Sequence, residues 1–514
     1  MRHSHRLLLS VALLLPLPIV IAGQTSSKAS VQKAAQTITT EDIRRRIGII
    51  ADDSMRGRDT PSPELDEVAA YIAAEYRRLG LKPAGDSGGF EQRYSLDRVQ
   101  IVTDSSVVFV HGGGNDVALS YGTDFVFGDN QFDNGDYAGE LVLVSGPVSG
   151  ALPADTASVA GKMIVLATGL RNRGERQRVL GWKPAGIVLA SSAPDSAWSQ
   201  FVARTTRPQL RDPSRLVGPP LLIAVRVGTL QPLVTGLGAD FAAAQSGAAF
   251  TVKSLGGAQL HVHARIQPVE RNSAPNVVAI LEGSDRQLKS EYVVFSAHMD
   301  HIGVAGPRGS GGCRAQGADS ICNGADDDGS GTVAVVELAK AFARLNPRPK
   351  RSLIFLNVSG EEKGLWGSAY FSEHTPVPVQ NIVADLNIDM IGRNWKDTIV
   401  AIGKEHSDLG ATLNRVAAAH PELNMHAIDD IWPQENFYFR SDHYNFARKG
   451  VPILFFFSGT HADYHRPGDS PDKIDAEKES RIARLIFYLG LDVANAVARP
   501  KWNPDSYKQI VTSQ

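Results

Sequence analysis

The sequence has few cysteines, almost no net charge and no long apolar run beyond its N-terminus. Of its 514 residues two are cysteines, and 53 lysines and arginines nearly balance 55 aspartates and glutamates, for a net charge of −2. Two cysteines exclude a small scaffold held together by many disulfides. The charge balance gives no reason to expect nucleic acid or an anionic membrane as a partner. Because no other run is long and apolar enough to span a bilayer, no stable membrane association is expected.

The N-terminus has the pattern of a secretory signal. Arg2 and Arg6 provide a positive start, residues 7–21 are mostly apolar, and Ala22 is a small residue suited to cleavage. The alternative is an N-terminal membrane anchor, but the run is short for a bilayer span and contains two prolines. The pattern predicts that residues 1–23 are removed and that the protein is secreted or periplasmic.

The two cysteines, Cys313 and Cys322, are close together in the sequence. In an oxidising compartment, such a pair favours a local disulfide, which would hold the loop before Asn323. Two free thiols, or thiolates that bind a soft metal, are the alternatives. Thiolate ligands are disfavoured because harder ligands are abundant nearby.

The length suits two or three domains. Residues 119–255 contain short β-rich runs separated by Gly, Pro, Ser and Asp, and none of the candidate metal ligands lies there. We therefore predict a β-rich inserted domain over 119–255. Residues 24–118 and 256–500 then form the domain that carries the site, and 501–514 form a tail.

From residue 270 onward, apolar runs typical of strands alternate with helical patterns, which predicts an α/β fold with a mainly parallel mixed sheet sandwiched by helices. The predicted strands are 277–281, 292–297, 352–358, 382–388 and 451–457, and the clearest predicted helices are 63–79, 331–345 and 481–497.

Candidate metal ligands follow several of these strands. His298, the Glu361-Glu362 pair and Asp389 come at or just after predicted strand ends, where ligands bind in such sheets. Histidine and carboxylate ligands together favour zinc, with manganese or cobalt as alternatives. A carboxylate beyond those needed as ligands can act as general base for a metal-bound water. The pattern predicts a metal-dependent hydrolase.

The bridging ligand of a two-metal site is the least obvious assignment. Two metals about 3.5–4 Å apart need a carboxylate that uses both oxygens. The run 326–328 is three aspartates flanked by glycines that allow a tight turn. Spacing does not choose among the three. A calcium loop or a solvated acidic turn is the alternative for this run alone.

Roles within the remaining candidates follow from their spacing. In Glu361-Glu362 one carboxylate can bind metal while the other accepts a proton; an exposed helix start is the alternative. Asp300 lies two residues after His298, so on extended backbone it shares a face and can accept the second imidazole N–H. His301 is predicted to be structural or supporting, as is His443, rather than a ligand.

Three further candidates each have an ordinary alternative. Asp389 closes an apolar strand and needs a partner, which a metal or a buried salt bridge can supply. His465 lies in a loop next to Pro467 and is a ligand or a surface residue. The phenol of Tyr464 can donate to a developing oxyanion, with simple packing as the alternative.

Five ordered motifs together resemble the secreted two-zinc aminopeptidases of the aminopeptidase Y and glutamate carboxypeptidase II family. These motifs are HMD, NGADDDGSG, SGEEKGLWGS, LNIDMIG and DYHRPGD. The resemblance covers about 260–495, with a weaker match over 40–118, and it implies the zinc exopeptidase fold.

The resemblance also implies a role for each matching residue. It implies one zinc ion held by His298, Asp327 and Asp389, and a second held by Asp327, Glu362 and His465. Asp327 is then the bridge. It further implies that Glu361 is the general base, that Asp300 supports the first histidine, and that Tyr464 matches a tyrosine present in some members.

The implied activity is removal of N-terminal residues from peptide substrates. A carboxypeptidase of the same family is an alternative, with Arg393, Arg440 and Arg466 as candidate partners for a terminal carboxylate. A single-zinc glutaminyl cyclase and a non-catalytic receptor-like ectodomain are further alternatives, which the complete ligand set disfavours. The 119–255 insert resembles a protease-associated domain. The sequence gives no indication of side-chain preference or oligomeric state.

Overall fold

The structure, a computed structural model, describes residues 26–128, 132–148, 156–170, 172–215, 220–306 and 312–512. The predicted signal sequence lies outside these residues. Within the described part, no helix combines the length and apolar character needed to cross a bilayer.

Eighteen strands are formed within the described ranges. They are β1 (Lys82–Pro83), β2 (Glu91–Ile101), β3 (Val107–Gly112), β4 (Asn115–Leu119), β5 (Phe125–Phe127), β6 (Gly135–Ser145), β7 (Met163–Leu166), β8 (Gly186–Ser191), β9 (Gln209–Arg211), β10 (Leu221–Arg226), β11 (Thr251–Ala264), β12 (Ile266–Leu281), β13 (Tyr292–His298), β14 (Ser352–Val358), β15 (Ile382–Ile388), β16 (Thr398–Ile402), β17 (His426–Ile428) and β18 (Ile453–Phe457).

Thirteen α-helices accompany these strands in the described ranges. They are α1 (Lys28–Ala35), α2 (Thr40–Ile50), α3 (Pro63–Arg78), α4 (Arg173–Gly181), α5 (Asp195–Thr205), α6 (Val227–Gly236), α7 (Phe241–Ser246), α8 (Gly331–Ala343), α9 (Trp366–Glu373), α10 (Leu409–Ala419), α11 (His443–Ala447), α12 (Ala476–Asn495) and α13 (Pro504–Tyr507).

The chain divides into two compact units. The first unit contains the chain up to Gln92 and from Pro275 onward, and the second contains Arg93–Ala274. The second unit starts earlier and ends later than the predicted insert at 119–255. Its assignment as a protease-associated domain stays a prediction.

The first unit is built on a mixed sheet with the order β17-β16-β18-β15-β13-β14-β12, and β1 pairs with β12. The four neighbouring strands β14, β13, β15 and β18 are parallel. Helices α2, α8 and α12 pack together, with α8 and α12 against the central strands, while α9 and α11 pack together near β15 and β18. Strands β14, β15 and β18 are buried along their full length, and β13 is buried from Val293 onward. The predicted α/β fold with a mixed, largely parallel sheet is confirmed.

Local sequence explains where the helices start. The side chain of Ser62 accepts a hydrogen bond from Leu65 N at the start of α3, and Pro63 occupies its first position, where no N–H is needed. Helix α8 begins directly after the aspartate run, and twelve of its residues, from Gly331 to Phe342, are buried. This helix therefore fixes the aspartate loop to the core of the first unit.

The second unit has its own sheet and core. Its strands β6, β7, β8 and β10 are parallel neighbours, with β5, β11, β3 and β4 added in antiparallel pairs. Buried apolar residues such as Val108, Leu141, Val165 and Ile223 form its core. The segment is rich in strands, as the sequence predicts, and it also contains helices α4–α7.

The C-terminal residues pack against the first unit. In the segment predicted as a tail, Trp502 donates to Gly450 O at 2.9 Å, and Ile510 is 3% exposed within the core. Residues 501–512 therefore belong to the first unit's structure.

Candidate metal centre

The predicted site residues meet at one edge of the first unit's sheet. His298 is the last residue of β13, Glu361 and Glu362 follow β14, Asp389 follows β15, and His465 lies in the loop after β18. Because these four strands are parallel neighbours, their carboxyl ends face the same edge. Glu362 and His465, 103 positions apart, are thereby brought to 3.2 Å from each other.

Asp327 lies at the centre of this group. Its Oδ1 is 3.4 Å from His298 Nε2, and its Oδ2 is 3.2 Å from His465 Nε2. Asp389 Oδ1 completes the first set at 3.6 Å from His298 Nε2, and Glu362 Oε2 completes the second at 3.2 Å from His465 Nε2. Each set thus contains one histidine nitrogen, one oxygen of Asp327 and one further carboxylate oxygen.

These separations suit a zinc ion in each set. Zinc bonds of about 2.0–2.2 Å in tetrahedral geometry place neighbouring ligand atoms about 3.3–3.6 Å apart. Buried carboxylate oxygens also lack hydrogen-bond partners at this point, namely Asp327 Oδ2, Glu362 Oε1 and Asp389 Oδ1. A cation would satisfy these oxygens, which are costly to bury alone. The donor set therefore fits a pair of metal ions.

The other two aspartates of the run are already engaged. Asp326 Oδ1 accepts from Gly392 N at 2.6 Å. Asp328 accepts from three backbone N–H groups, those of His298, Gly331 and Met390, at 2.8–3.2 Å. Asp328 lies near His298 and Asp389, but its oxygens stabilise the turn instead of facing open space. The structure thus separates Asp327 from its neighbours, which spacing alone does not.

His301 lies closer to the site than the sequence suggests. Its Nδ1 is 2.9 Å from Glu362 Oε1 and 3.7 Å from Asp327 Oδ2, and its ring contacts His465 edge-on. Both of its ring nitrogens are buried, and neither forms a hydrogen bond of good geometry. The second set therefore offers one nitrogen more than the sequence predicts. The position of His301 three residues after His298 is the signal that was available.

Glu361 lies in the pocket beside the two sets and binds neither. Burial, together with the nearby Glu362, Asp442 and Asp389 carboxyls, raises the pKa of Glu361 well above its usual range. A raised pKa suits a group that takes up a proton near neutral pH. The main-chain N–H of Glu361 donates to Asp300, which also contacts His298 of the first set.

Asp300 connects the first histidine to the Glu pair. Its Oδ2 accepts from Thr60 Oγ1 at 2.8 Å, and its Oδ1 accepts from Glu361 N at 3.3 Å. His298 Nδ1 is 3.1 Å from the backbone oxygen of Asp300 and 3.7 Å from its carboxylate. The closer partner of the imidazole is thus the main chain, while the carboxylate positions the loop that carries Glu361.

Tyr464 and His465 stack on each other, with ring centroids 3.9 Å apart. Burial, with the Asp327 and Glu362 carboxylates nearby, raises the pKa of the Tyr464 phenol, so it stays protonated and can donate. Burial alone would lower the pKa of His465, but Asp327 and Glu362 raise it to about 10. In the absence of a metal ion, the imidazole therefore holds a proton that a metal would displace.

Arg58 holds the loops of the site together, although no sequence motif pointed to it. Its guanidinium is fully buried and donates to the backbone oxygens of Met299 at 2.7 Å, Gly324 at 2.6 Å and Asn323. Gly324 has φ +60°, and a Cβ there would lie 2.5 Å from the His301 ring, so this position requires glycine. Arg58 is about 240 residues or more from its partners, so no local pattern could reveal the contact.

The predicted disulfide between Cys313 and Cys322 is confirmed. Cys322 is fully buried, its N–H donates to Gly303 O at 3.0 Å, and its sulfur lies 4.0 Å from His465 O. The bridge therefore supports both the loop before Asn323 and the loop that carries His465.

A pocket with a mixed wall opens onto the first set, and the four apolar side chains Met390, Phe437, Phe455 and Phe457 give it the name apolar pocket. It is lined by His298, Asp327, Glu361, Asp389, Met390, Phe437, Arg440, Ser441, Phe455, Phe457, Thr460 and Tyr464. Of the three arginines considered for a terminal carboxylate, Arg393 pairs with Asp463 at 3.0 Å, whereas Arg440 lines this pocket and lies over the Phe437 ring. Arg466 is exposed next to His465.

His443 is a core residue. Its Nε2 lies 2.8 Å from Tyr438 O, and its ring stacks on Phe455. Burial lowers its pKa to about 3, so it is neutral at physiological pH.

The donor set fits a metal centre, and comparison with known proteins connects this part of the chain to metallopeptidases. The model of peptidase family M28 matches residues 276–490, which carry all of the predicted ligands. Residues 276–490 of the first unit are therefore similar to peptidase family M28.

The chain is also similar to individual known proteins over parts of its length. A "Probable zinc metalloprotease" from Pyricularia oryzae is 26% identical over 266 residues, covering 43% of this chain and 50% of the relative. A "Probable leucine aminopeptidase" from Arthroderma otae is 25% identical over 230 residues, covering 43% and 58%. The chain thus spans about half the length of the curated relatives it matches. An aminopeptidase from Aneurinibacillus sp. strain AM-1 aligns over 92% of this chain and 98% of its own, at 16% identity and a TM-score of 0.49.

Proposed function

We propose that the protein is a two-zinc aminopeptidase that removes N-terminal residues from peptides. The observation that carries this proposal is the position of Asp327, whose two oxygens face two different histidines at 3.4 and 3.2 Å. A carboxylate arranged in this way suits a pair of metal ions about 3.5–4 Å apart. Zinc is favoured over manganese or cobalt by the mixed nitrogen and oxygen donors.

The chain's own residues divide the remaining work. A bound metal pair supplies a Lewis acid for the scissile carbonyl and a water of lowered pKa. Glu361 accepts the proton of the attacking water at its carboxylate and returns it to the departing amine. Tyr464 keeps its phenol proton and donates a hydrogen bond to the carbonyl oxygen as negative charge develops there. Asp300 orients the loop of Glu361 through the main-chain N–H.

The apolar pocket supports an aminopeptidase that prefers apolar first residues. Met390, Phe437, Phe455 and Phe457 provide a surface on which an aliphatic or aromatic side chain loses contact with water. The relative called a probable leucine aminopeptidase supports the same choice. Arg440 at the pocket's edge keeps the carboxypeptidase as the second candidate, since its guanidinium can bind a terminal carboxylate.

One experiment separates these candidates. The zinc-loaded full chain is incubated with a leucine-containing tetrapeptide in three forms: unmodified, N-acetylated and C-amidated. An aminopeptidase cleaves the unmodified and amidated forms and spares the acetylated one, whereas a carboxypeptidase spares the amidated one. Cyclisation of an N-terminal glutamine would indicate a glutaminyl cyclase. Absence of any turnover, with Glu361→Gln behaving identically, would reject an enzymatic role.

A further inference from the structure

A second cleft, separate from the apolar pocket, adjoins the metal centre at His465. Its volume is about 470 Å³, and its lining includes Arg314, Gln316, Tyr464, His465 and Arg466. The apolar pocket shares Tyr464 with this cleft but contains His298 and Asp389 from the other ligand set. The apolar pocket therefore opens at the first ligand set, and the cleft opens at His465 of the second set.

The cleft is cationic. Arg314 and Arg466 are both exposed, and among the described residues neither is found in an ion pair. No acidic side chain lines the cleft. Asp319, the acidic residue of the neighbouring loop, instead accepts from Ile321 N at 3.1 Å. Two guanidinium groups in one cleft without a carboxylate partner favour an anionic ligand.

Both arginines are attached to fixed backbone. Arg314 follows Cys313, which is 5% exposed and bound to Cys322. The loop between the cysteines is closed by paired main-chain hydrogen bonds between Gln316 and Asp319, at 2.8 and 3.1 Å. Arg466 follows His465, and its N–H donates to Asp463 O at 3.0 Å. Fixed backbone keeps the two charges on the same cleft, which reduces the entropy lost on binding.

We propose that this cleft binds a carboxylate on the part of the peptide that follows the scissile bond, which makes Arg314 and Arg466 specificity-determining residues. The inference rests on the proposed aminopeptidase activity. A substrate whose first side chain occupies the apolar pocket has its scissile bond at the ligand group, and its next residues extend past His465. The carboxylate comes from an acidic second or third residue, or from the free C-terminus of a dipeptide.

The expected preference is moderate and sensitive to salt. Exposed arginine–carboxylate pairs each contribute about 0.2–1 kcal/mol, so two of them correspond to roughly a two- to thirtyfold change in kcat/KM. Since exposed charges are screened within about 10 Å at 0.1 M ionic strength, the preference should shrink at high salt. The contacts form on binding, so the change belongs mainly to KM.

The test compares kcat/KM for C-amidated Leu-Asp-Ala and Leu-Asn-Ala, and for Leu-Ala with a free or amidated C-terminus. The first pair isolates a side-chain carboxylate and the second a terminal one. We expect the acidic member of at least one pair to be favoured in the wild type. The ratio should fall towards one in Arg314→Gln/Arg466→Gln and should be partly kept in Arg314→Lys.

Arg344→Gln is the matched control, because Arg344 is an exposed arginine at the end of α8, away from the cleft. Its ratio should equal that of the wild type. A wild-type ratio near one in both pairs, or an acidic preference that survives in the double variant, would overturn the inference while leaving the aminopeptidase proposal intact. Failure to cleave the neutral peptides would instead count against the proposed function. In that case calorimetry measures binding of the amidated Leu-Asp-Ala peptide to two zinc-loaded proteins. One is Glu361→Gln, and the other is Glu361→Gln combined with Arg314→Gln and Arg466→Gln. Equal affinity of the two proteins would overturn the cleft assignment.

Discussion

The two units of this chain contain the same type of sheet core but differ at its carboxyl edge. In the first unit the parallel strands β14, β13, β15 and β18 are followed by histidine, glutamate and aspartate side chains. In the second, β6, β7, β8 and β10 are also parallel neighbours, with helices α4 and α5 among their connections. Those strands are followed mainly by small residues and prolines, such as Gly146, Thr168 and Pro194.

Parallel strands therefore provide a sheet edge where a site can form, but the side chains that follow the strands decide whether one does. Both groups of potential metal-binding side chains found among the described residues lie in the first unit. A buried carboxylate without a partner is costly, so side chains of this kind persist at strand ends only where something satisfies them. Neither of these groups lies at the strand ends of the second unit. The prediction for this unit is therefore a role in access or substrate selection.

The largest effect is expected from removing the carboxylate of Asp327, because the sheet edge of the first unit would then lose its shared metal ligand. Asp327→Ala should lose both metals or bind them poorly, because each ligand set uses one oxygen of this residue. Metal content by atomic emission and peptide hydrolysis measure the outcome. Asp326→Ala is the control, since Asp326 contacts Gly392 N and neither ligand set. Two zinc ions retained in Asp327→Ala would refute the bridge.

Replacing Glu361 tests chemistry without metal binding. Glu361→Gln should lower kcat by about 10²–10⁴-fold, the usual loss for a general base, while zinc content stays near that of the wild type. The amide keeps the size of the side chain and cannot accept the proton. Near-normal turnover in this variant would remove Glu361 from the role. Loss of zinc instead would make it a ligand.

A finer test asks which histidine completes the second set. If His465 is the ligand and His301 supports Glu362, His465→Ala should reduce the zinc content from two ions to one. His301→Ala should keep two ions with affinity weakened about 10–100-fold, as for other supporting residues. Competition with a zinc-binding dye measures both constants. The reverse pattern would exchange the two assignments, since His301 Nδ1 is 2.9 Å from Glu362 Oε1.

The smallest effect on the chemistry is expected from removing the second unit. Asn276 Nδ2 donates to Gln92 Oε1 at 3.2 Å, so the chain enters and leaves the first unit at adjacent points. Replacing 93–274 with a short flexible linker should preserve zinc binding. Hydrolysis of a small aminoacyl chromogenic substrate should change less than hydrolysis of longer peptides. A soluble, folded deletion variant without zinc would show that the second unit helps to build the site.

Much of the first unit could be predicted because its signals are local. The predicted strands 352–358 and 382–388 coincide with β14 and β15, and helix 63–79 differs from α3 by one residue. Continuous apolar runs mark buried parallel strands, and Ser62-Pro63 marks a helix start. The terminal helix began five residues earlier than predicted, at Ala476, because Asp475 caps it through Lys478 N. Its polar first turn lacks the apolar spacing on which the prediction depended.

Local sequence patterns specify which residue types are available for the site and the order of the strands that carry them. His298, Glu361, Glu362 and Asp389 lie at strand ends, and parallel pairing leaves such residues at one edge. The role of each residue depends on tertiary contacts. Asp327 faces both histidines, whereas Asp328 accepts hydrogen bonds from three backbone N–H groups. Tertiary contacts also bring His301 and Arg58 to the site. These outcomes depend on contacts between distant segments, and no local spacing specifies which of three adjacent carboxylates faces both histidines.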